Sequence, residues 1–175
     1  HEYKIYSILK RKKVKNIPNI YDFSEANSKT SKFYLLSMDL MGETLDSLFT
    51  LGNKKLDVGT VLNIAIDCIT CLKEVHRDIK PSNFVVDKRD KKKIYIIDFG
   101  LSRRYLTPEK KHIDLTTGRT VMGTARYVST NIHLGFEPSR RDDLEAVGYM
   151  LIYFLRGSLP WQGIQKNSST NKDVI

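Results

Sequence analysis

The apolar positions alternate between helical and strand spacing along the chain. Near the start, Ile5, Ile8 and Leu9 share one helical face, so residues 1–9 predict a helix. Residues 17–21, Ile-Pro-Asn-Ile-Tyr, read as extended, because proline holds the residue before it out of the helical region. Residues 24–32 are rich in Ser, Lys and Thr and predict a hairpin turn. The run from Phe33 to Met41, closed by Gly42, predicts a mostly buried strand. Thr44 opens a short helix over residues 44–49.

From Val58 to Val75 the residues Val61, Leu62, Ala65, Cys68, Ile69, Leu72 and Val75 keep a helical period, which predicts a long amphipathic helix on a core. Residues 84–86 and 94–97 flank a charged turn and predict a hairpin. Residues 101–122 are mixed and basic without a period and read as loop. Residues 143–155 are almost wholly apolar after Glu145, a buried helix too short to span a bilayer. The polar tail from Gln165 is expected to fray. Separate helical and strand segments around one core predict an α+β fold, with no internal repeat and no second domain.

Composition narrows the class. Hydrophobic residues make up 41% and charged residues 28%, the balance of a globular chain rather than a disordered one. Lys and Arg number 29 against 20 Asp and Glu, a net charge of +9 that favours acidic or phosphorylated partners and attracts nucleic acid weakly. Much of that charge lies in residues 10–15 and 88–93, which read as solvated turns; the first run also fits a nuclear-localisation patch. The two cysteines, Cys68 and Cys71, fall inside the helical pattern with no second ligand pair, so they read as packing residues. With no signal peptide or membrane-length apolar run, a cytoplasmic or nuclear protein is expected.

Two stretches carry the chemistry. His76-Arg77-Asp78-Ile79-Lys80-Pro81-Ser82-Asn83 puts a carboxylate, an ammonium and a carboxamide on one short loop. Ile96-Ile97-Asp98-Phe99-Gly100 puts a second carboxylate at the end of a strand-like run. These groups suit phosphoryl transfer, which needs positioned charge more than covalent chemistry. Asp78 would orient and deprotonate an attacking hydroxyl, and Lys80 would offset charge on the transferred group. Asn83 and Asp98 would hold Mg²⁺, a hard ion that prefers oxygen.

The order H-R-D-x-x-x-x-N then D-F-G resembles the protein-kinase signature. Gly123-Thr124-Ala125-Arg126-Tyr127-Val128-Ser129-Thr130-Asn131 narrows the resemblance to the casein kinase 1 family, whose S-I-N-type sequence replaces the usual A-P-E. Residues 139–145 and 157–163 extend it, so that it covers residues 2–163. The resemblance implies a partial kinase-like fold: residues 1–41 as N-lobe remnant and hinge, 42–164 as C-lobe, 165–175 as polar tail. It implies a Ser/Thr kinase that uses ATP and Mg²⁺ on acidic or pre-phosphorylated proteins. It also implies a monomer with no specific nucleic-acid or membrane partner. Glu2 falls at the helix glutamate that pairs with the ATP-binding lysine, and Met38 at the gatekeeper. Asp39 and Met41 fall at the adenine-binding hinge, Val85 beneath the ring, and Asp143 at the aspartate that braces the catalytic loop. Arg126, Gly157 and Ser158 resemble the pocket that reads substrate anions.

Three departures accompany the resemblance. The glycine-rich loop and strand lysine expected before Glu2 are not among the 175 residues, nor are the later helices of the C-lobe. The helix reaching Val75 also runs straight into Arg77, where the family has roughly six more residues, about 20 Å if extended. That shortening implies either an unwound helix end, exposing Leu72 and Val75, or an Asp78 pulled away from Asn83 and Asp98. An alternative function is therefore a catalytically impaired, kinase-like module that binds acidic or phosphorylated partners.

Overall fold

The structure, a computed structural model, describes residues 1–72 and 74–163. The polar tail from Gln165 lies outside the described residues. Helix α1 (Glu2–Arg11) starts with an acid and ends with Lys10 and Arg11, matching the helix dipole, and buries Ile5, Tyr6 and Leu9. Ile8 is only half-buried, so the buried face is rotated slightly from the expected one.

Strands β1 (Ile20–Asn27) and β2 (Lys32–Met38) pair antiparallel around a turn at residues 28–31, shorter than expected. The predicted buried strand is a correction: Phe33, Tyr34 and Leu35 are 53%, 62% and 55% exposed. The sheet has two strands among the described residues, and of its apolar side chains Ile20, Leu36 and Met38 pack against the core.

Helix α2 (Leu45–Leu51) is capped by Thr44, whose Oγ1 accepts from Ser47 N at 3.0 Å. Helix α3 (Val58–Cys71) is capped by Asp57, which accepts from Thr60 N at 3.0 Å. The predicted helix to Val75 is corrected in two respects. It ends at Cys71, and its buried face is Val61, Ile64, Cys68 and Cys71, while Leu62 and Ile69 are exposed. Leu72, Glu74 and Val75 are instead non-helical, with Val75 buried and Leu72 half-buried. The shortened connection is met by losing helix at its end, without exposing Val75.

Strands β3 (Phe84–Val86) and β4 (Ile94–Ile96) form the expected hairpin and are almost wholly buried. Residues 101–122 are irregular apart from two isolated bridges, Val75 with Arg103 and Leu106 with His112. After the single turn α4 (Thr130–His133), helix α5 (Arg140–Arg156) opens with a reciprocal Ser139–Asp142 capping box. It packs on α3 and buries Met150 and Phe154, though Leu144 and Ile152 remain over 40% exposed. Cys68 and Cys71 are free and buried in this core, as packing residues.

Candidate active site

The candidate catalytic loop, residues 76–83, is held from below by one buried carboxylate. Asp143, in the first turn of α5, accepts from His76 N at 2.6 Å and from Arg77 N at 2.9 Å. Burial raises its pKa to about 7, against the pull of those two backbone donors. Ser102 Oγ donates to His76 O, and Arg103 N donates to Val75 O at 2.9 Å, which fastens the connector from the other side. Gly123 is required beneath this loop: its φ is +90°, and a Cβ there would collide with the Arg77 carbonyl. Arg77 (φ 73°) and Asp98 (φ 66°) are non-glycine residues in the left-handed region, one in each motif. Such strain persists only where the surroundings over-determine it.

Asp78 stands at the centre. Its Oδ2 accepts from Lys80 Nζ at 2.6 Å and from Asn83 Nδ2 at 3.3 Å, and its Oδ1 accepts from Thr124 Oγ1 at 2.7 Å. Burial pushes its pKa up, but Lys80, Thr124 and Asn83 outweigh it and hold the carboxyl below its ordinary value. The group is therefore an ionised base in a largely buried, hydrogen-bonded setting. Thr124 was not singled out in the sequence as a site residue, although it lies inside the stretch that carries the resemblance.

Asn83 Nδ2 also donates to Asp78 O at 2.8 Å, so its Oδ1 is the side-chain oxygen left as a ligand. Asn83 O accepts from Ile97 N at 3.0 Å, which sets the loop beside the strand leading to Asp98. Asp98 is exposed, and Gly100 N donates to its Oδ1 at 3.3 Å. Among the described residues no three His, Cys, Asp or Glu side chains form a metal cage. One exposed carboxylate and one amide oxygen are a donor set that would suit Mg²⁺, which keeps much of its shell in water and phosphate oxygens.

Helix α1 grips the second motif. Glu2 accepts from Phe99 N at 3.2 Å, Tyr6 stacks edge-on to Phe99 at 4.9 Å, and His1 Nε2 lies 2.7 Å from Ser102 O. Burial raises the Glu2 pKa, with the Phe99 N–H opposing it. At the hinge, Met38 is half-buried and Asp39 N donates to Asn19 O at 3.0 Å. The Asp39 carboxylate accepts from Asn19 and from Tyr21 Oη. Met41 is half-buried, and Gly42 N donates to Val86 O at 2.9 Å, laying the hinge against β3, where Val85 is buried.

A cationic cluster adjoins the loop. Glu137, 7% exposed, accepts from Arg77 Nη2, from Arg103 Nη1 at 2.7 Å and from Arg119 Nε at 2.8 Å. Three guanidinium groups gather around this one carboxylate, and one of them, Arg77, precedes Asp78 in the sequence. The buried Arg77 Nε has no partner there. Arg103, Arg119 and Glu137 lie too far apart in sequence for any spacing rule to link them. Arg126 sits elsewhere: its guanidinium lies over Tyr127 and Tyr153 at 5.7 and 5.5 Å, and Trp161 Nε1 donates to its carbonyl at 2.8 Å. That bond brings the 157–161 turn, with exposed Ser158, beside Arg126. Gly157 ends α5 at φ +82°, where a Cβ would lie 2.8 Å from Lys54 O, so it also has a packing reason.

The class is shown by comparison with known proteins. Residues 3–175 match the protein kinase domain family, and the chain belongs to it. Its α+β fold is a partial kinase fold. Within the family its likeness is to casein kinase I homologues. It is 41% identical, over 98% of its length, to casein kinase I homolog 1 of Saccharomyces cerevisiae, and covers 32% of that protein. It is 41% identical to casein kinase I homolog 1 of Schizosaccharomyces pombe, covering 39% of it, again with 98% of the chain. A probable casein kinase I homolog of Encephalitozoon cuniculi is 38% identical over 98% of the chain, which spans 58% of that relative.

Proposed function

We propose that the chain carries the catalytic centre of a Ser/Thr protein kinase that phosphorylates acidic or pre-phosphorylated proteins. The observation that carries the reading is Asp78: a carboxylate with a depressed pKa, fixed by Lys80, Asn83 and Thr124. Magnesium-bound ATP, when present, supplies the γ-phosphoryl group. Asp78 accepts the proton of a substrate hydroxyl as that oxygen bonds to phosphorus and the bond to ADP breaks. Lys80 Nζ, already beside Asp78, keeps the base ionised and adds positive charge where the phosphoryl group passes. Asn83 Oδ1 and Asp98 would hold the metal, Glu2 fixes the Asp98-Phe99-Gly100 stretch, and Asp39, Met41 and Val85 would border the adenine ring.

The preference for anionic substrates is supported by the three arginines around Glu137, one of which, Arg77, precedes the base in the sequence. Arg126 with Gly157 and Ser158 is a second, more exposed anion wall. Residues 1–41 act as the smaller lobe and hinge and residues 42–164 as the larger lobe. Transfer from Mg-ATP to an acidic Ser-containing peptide tests the reading. Asp78→Asn should lower turnover about a hundredfold or more, with nucleotide affinity within about twofold. A variant that matches the wild-type rate would remove Asp78 from the role of base.

A further inference from the structure

A groove of about 610 Å³ lies between α2, α3 and the β3–β4 turn, and none of Asp78, Lys80, Asn83 or Asp98 lines it. Leu48, Leu56 and Ile64 line it, and Ile66 contributes an apolar side chain that is 64% exposed. Lys91 and Lys92, both exposed on the turn, close the opposite side. Exposed Lys54 and Lys55 immediately precede Leu56, so cations flank the apolar lining at both ends. The one carboxylate of the lining, Asp67, is half-buried, and burial raises its pKa. The salt bridges leave Lys91 and Lys92 without a carboxylate partner among the described residues, whereas neighbouring Lys93 pairs with Asp90.

We propose that this groove docks a short segment of a partner protein in which leucine-like and acidic side chains alternate. The apolar side chains cover Leu48, Leu56, Ile64 and Ile66, and the carboxylates meet Lys91 and Lys92. Apolar contact gives such a site its affinity, and the flanking cations set orientation and reject basic segments. A nucleic-acid strand brings charge to the rim but no aliphatic side chains to the lining. A second copy of this chain, with its net charge of +9, does not match the charge of Lys91 and Lys92. An acidic, apolar protein segment is the occupant that matches both halves of the groove.

The test is fluorescence anisotropy with the fluorescein-labelled peptide Glu-Leu-Asp-Leu-Glu-Leu and no nucleotide, so the result does not depend on phosphoryl transfer. Saturable binding is expected. Lys91→Glu with Lys92→Glu should weaken it about tenfold or more, and Ile66→Ser about threefold. Serine in place of each leucine of the peptide should abolish it. Circular dichroism checks that the variants keep the wild-type fold, and Lys91→Ala with Lys92→Ala replaces the charge reversal if they do not. Three results overturn the proposal: no saturation at millimolar peptide, binding that survives the lysine changes, or equal binding of the serine peptide. Tighter binding of a single-stranded oligonucleotide, lost with the same lysines, also overturns it, by reassigning the surface to nucleic acid.

Discussion

The catalytic loop and the β1–β2 hairpin are built in opposite ways. Residues 76–79 are buried and tied by Asp143, Ser102, Thr124 and Glu137, which come from distant parts of the chain. The hairpin is held by the ladder between its own two strands, while Tyr21, Phe33, Tyr34 and Leu35 are exposed. Its aromatic residues stack mainly on one another and on α1, through Tyr3–Phe23 at 4.6 Å and Phe23–Tyr34 at 5.9 Å. The first region is held by long-range polar contacts that leave no freedom. The second is held by a local ladder and leaves its apolar surface open. A loop that must place a base to within a fraction of an ångström needs the first kind of support.

The sharpest way to break that contrast is Asp143→Ala. It leaves His76 N and Arg77 N buried without an acceptor, at about 1–3 kcal/mol for each donor. Chemical denaturation should show a loss of about 3–5 kcal/mol, a large part of a small domain's stability. A loss under about 1 kcal/mol would mean that the brace is dispensable. Glu137→Ala comes next. It strands the buried Arg77 guanidinium, while Arg103 and Arg119 are half-exposed and recover solvent. A loss of about 2–4 kcal/mol is expected from the buried partner, after screening of the other two. Glu137→Gln should recover part of it.

Much of the loop was legible from residues 76–83 and 96–100 alone, because its hydrogen bonds join groups a few residues apart. Asp78, Lys80 and Asn83 meet as their spacing implies. The supports were less legible. Glu137, Arg103 and Arg119 converge only through the path of the chain between them, and no period records that path. The buried face of α3 was misread for a different reason. Val58, Val61, Leu62, Ile64, Ala65, Ile66, Cys68, Ile69 and Cys71 are apolar nearly all round, so periodicity cannot choose between Leu62 and Ile64. The Phe33–Leu36 run was misread because hydrophobicity reports what a strand can bury, and only the layers around it decide what it does bury.

A moderate effect is expected from pH. His76 is fully buried with its ring held between Ile97 O at 3.0 Å and Asp78 N at 3.3 Å. Burial lowers its pKa from 6.5, so the folded state takes up a proton less readily than the unfolded chain. Stability from this group is present above the unfolded value of about 6.5 and is lost as pH falls through it. Asp143 slopes the other way: its raised pKa removes stability as pH rises from about 4 to 7. The two separate by difference. The drop in Tm between pH 7.5 and 5.5 should be smaller in His76→Gln than in the wild type. An equal drop would assign the acid sensitivity elsewhere.

The smallest effect on stability should come from the hairpin. Tyr34 and Leu35 are 62% and 55% exposed, so Tyr34→Ser with Leu35→Thr removes little buried area. Surface changes of this kind usually stay within about 0.5 kcal/mol of the parent. Serine does remove the stacking of Tyr34 on Phe23, and threonine keeps the strand propensity of position 35. The larger change should appear in association. A two-stranded sheet has an open edge on each strand, and exposed aromatic and aliphatic side chains beside such edges favour pairing between chains. Light scattering at high protein concentration should show less self-association in the double variant, at nearly unchanged Tm. A fall in Tm as large as that of Glu137→Ala would show that the outward-facing side chains are packed after all. The hairpin would then belong with the catalytic loop among the tightly held parts of the molecule, and the contrast between the two would fail.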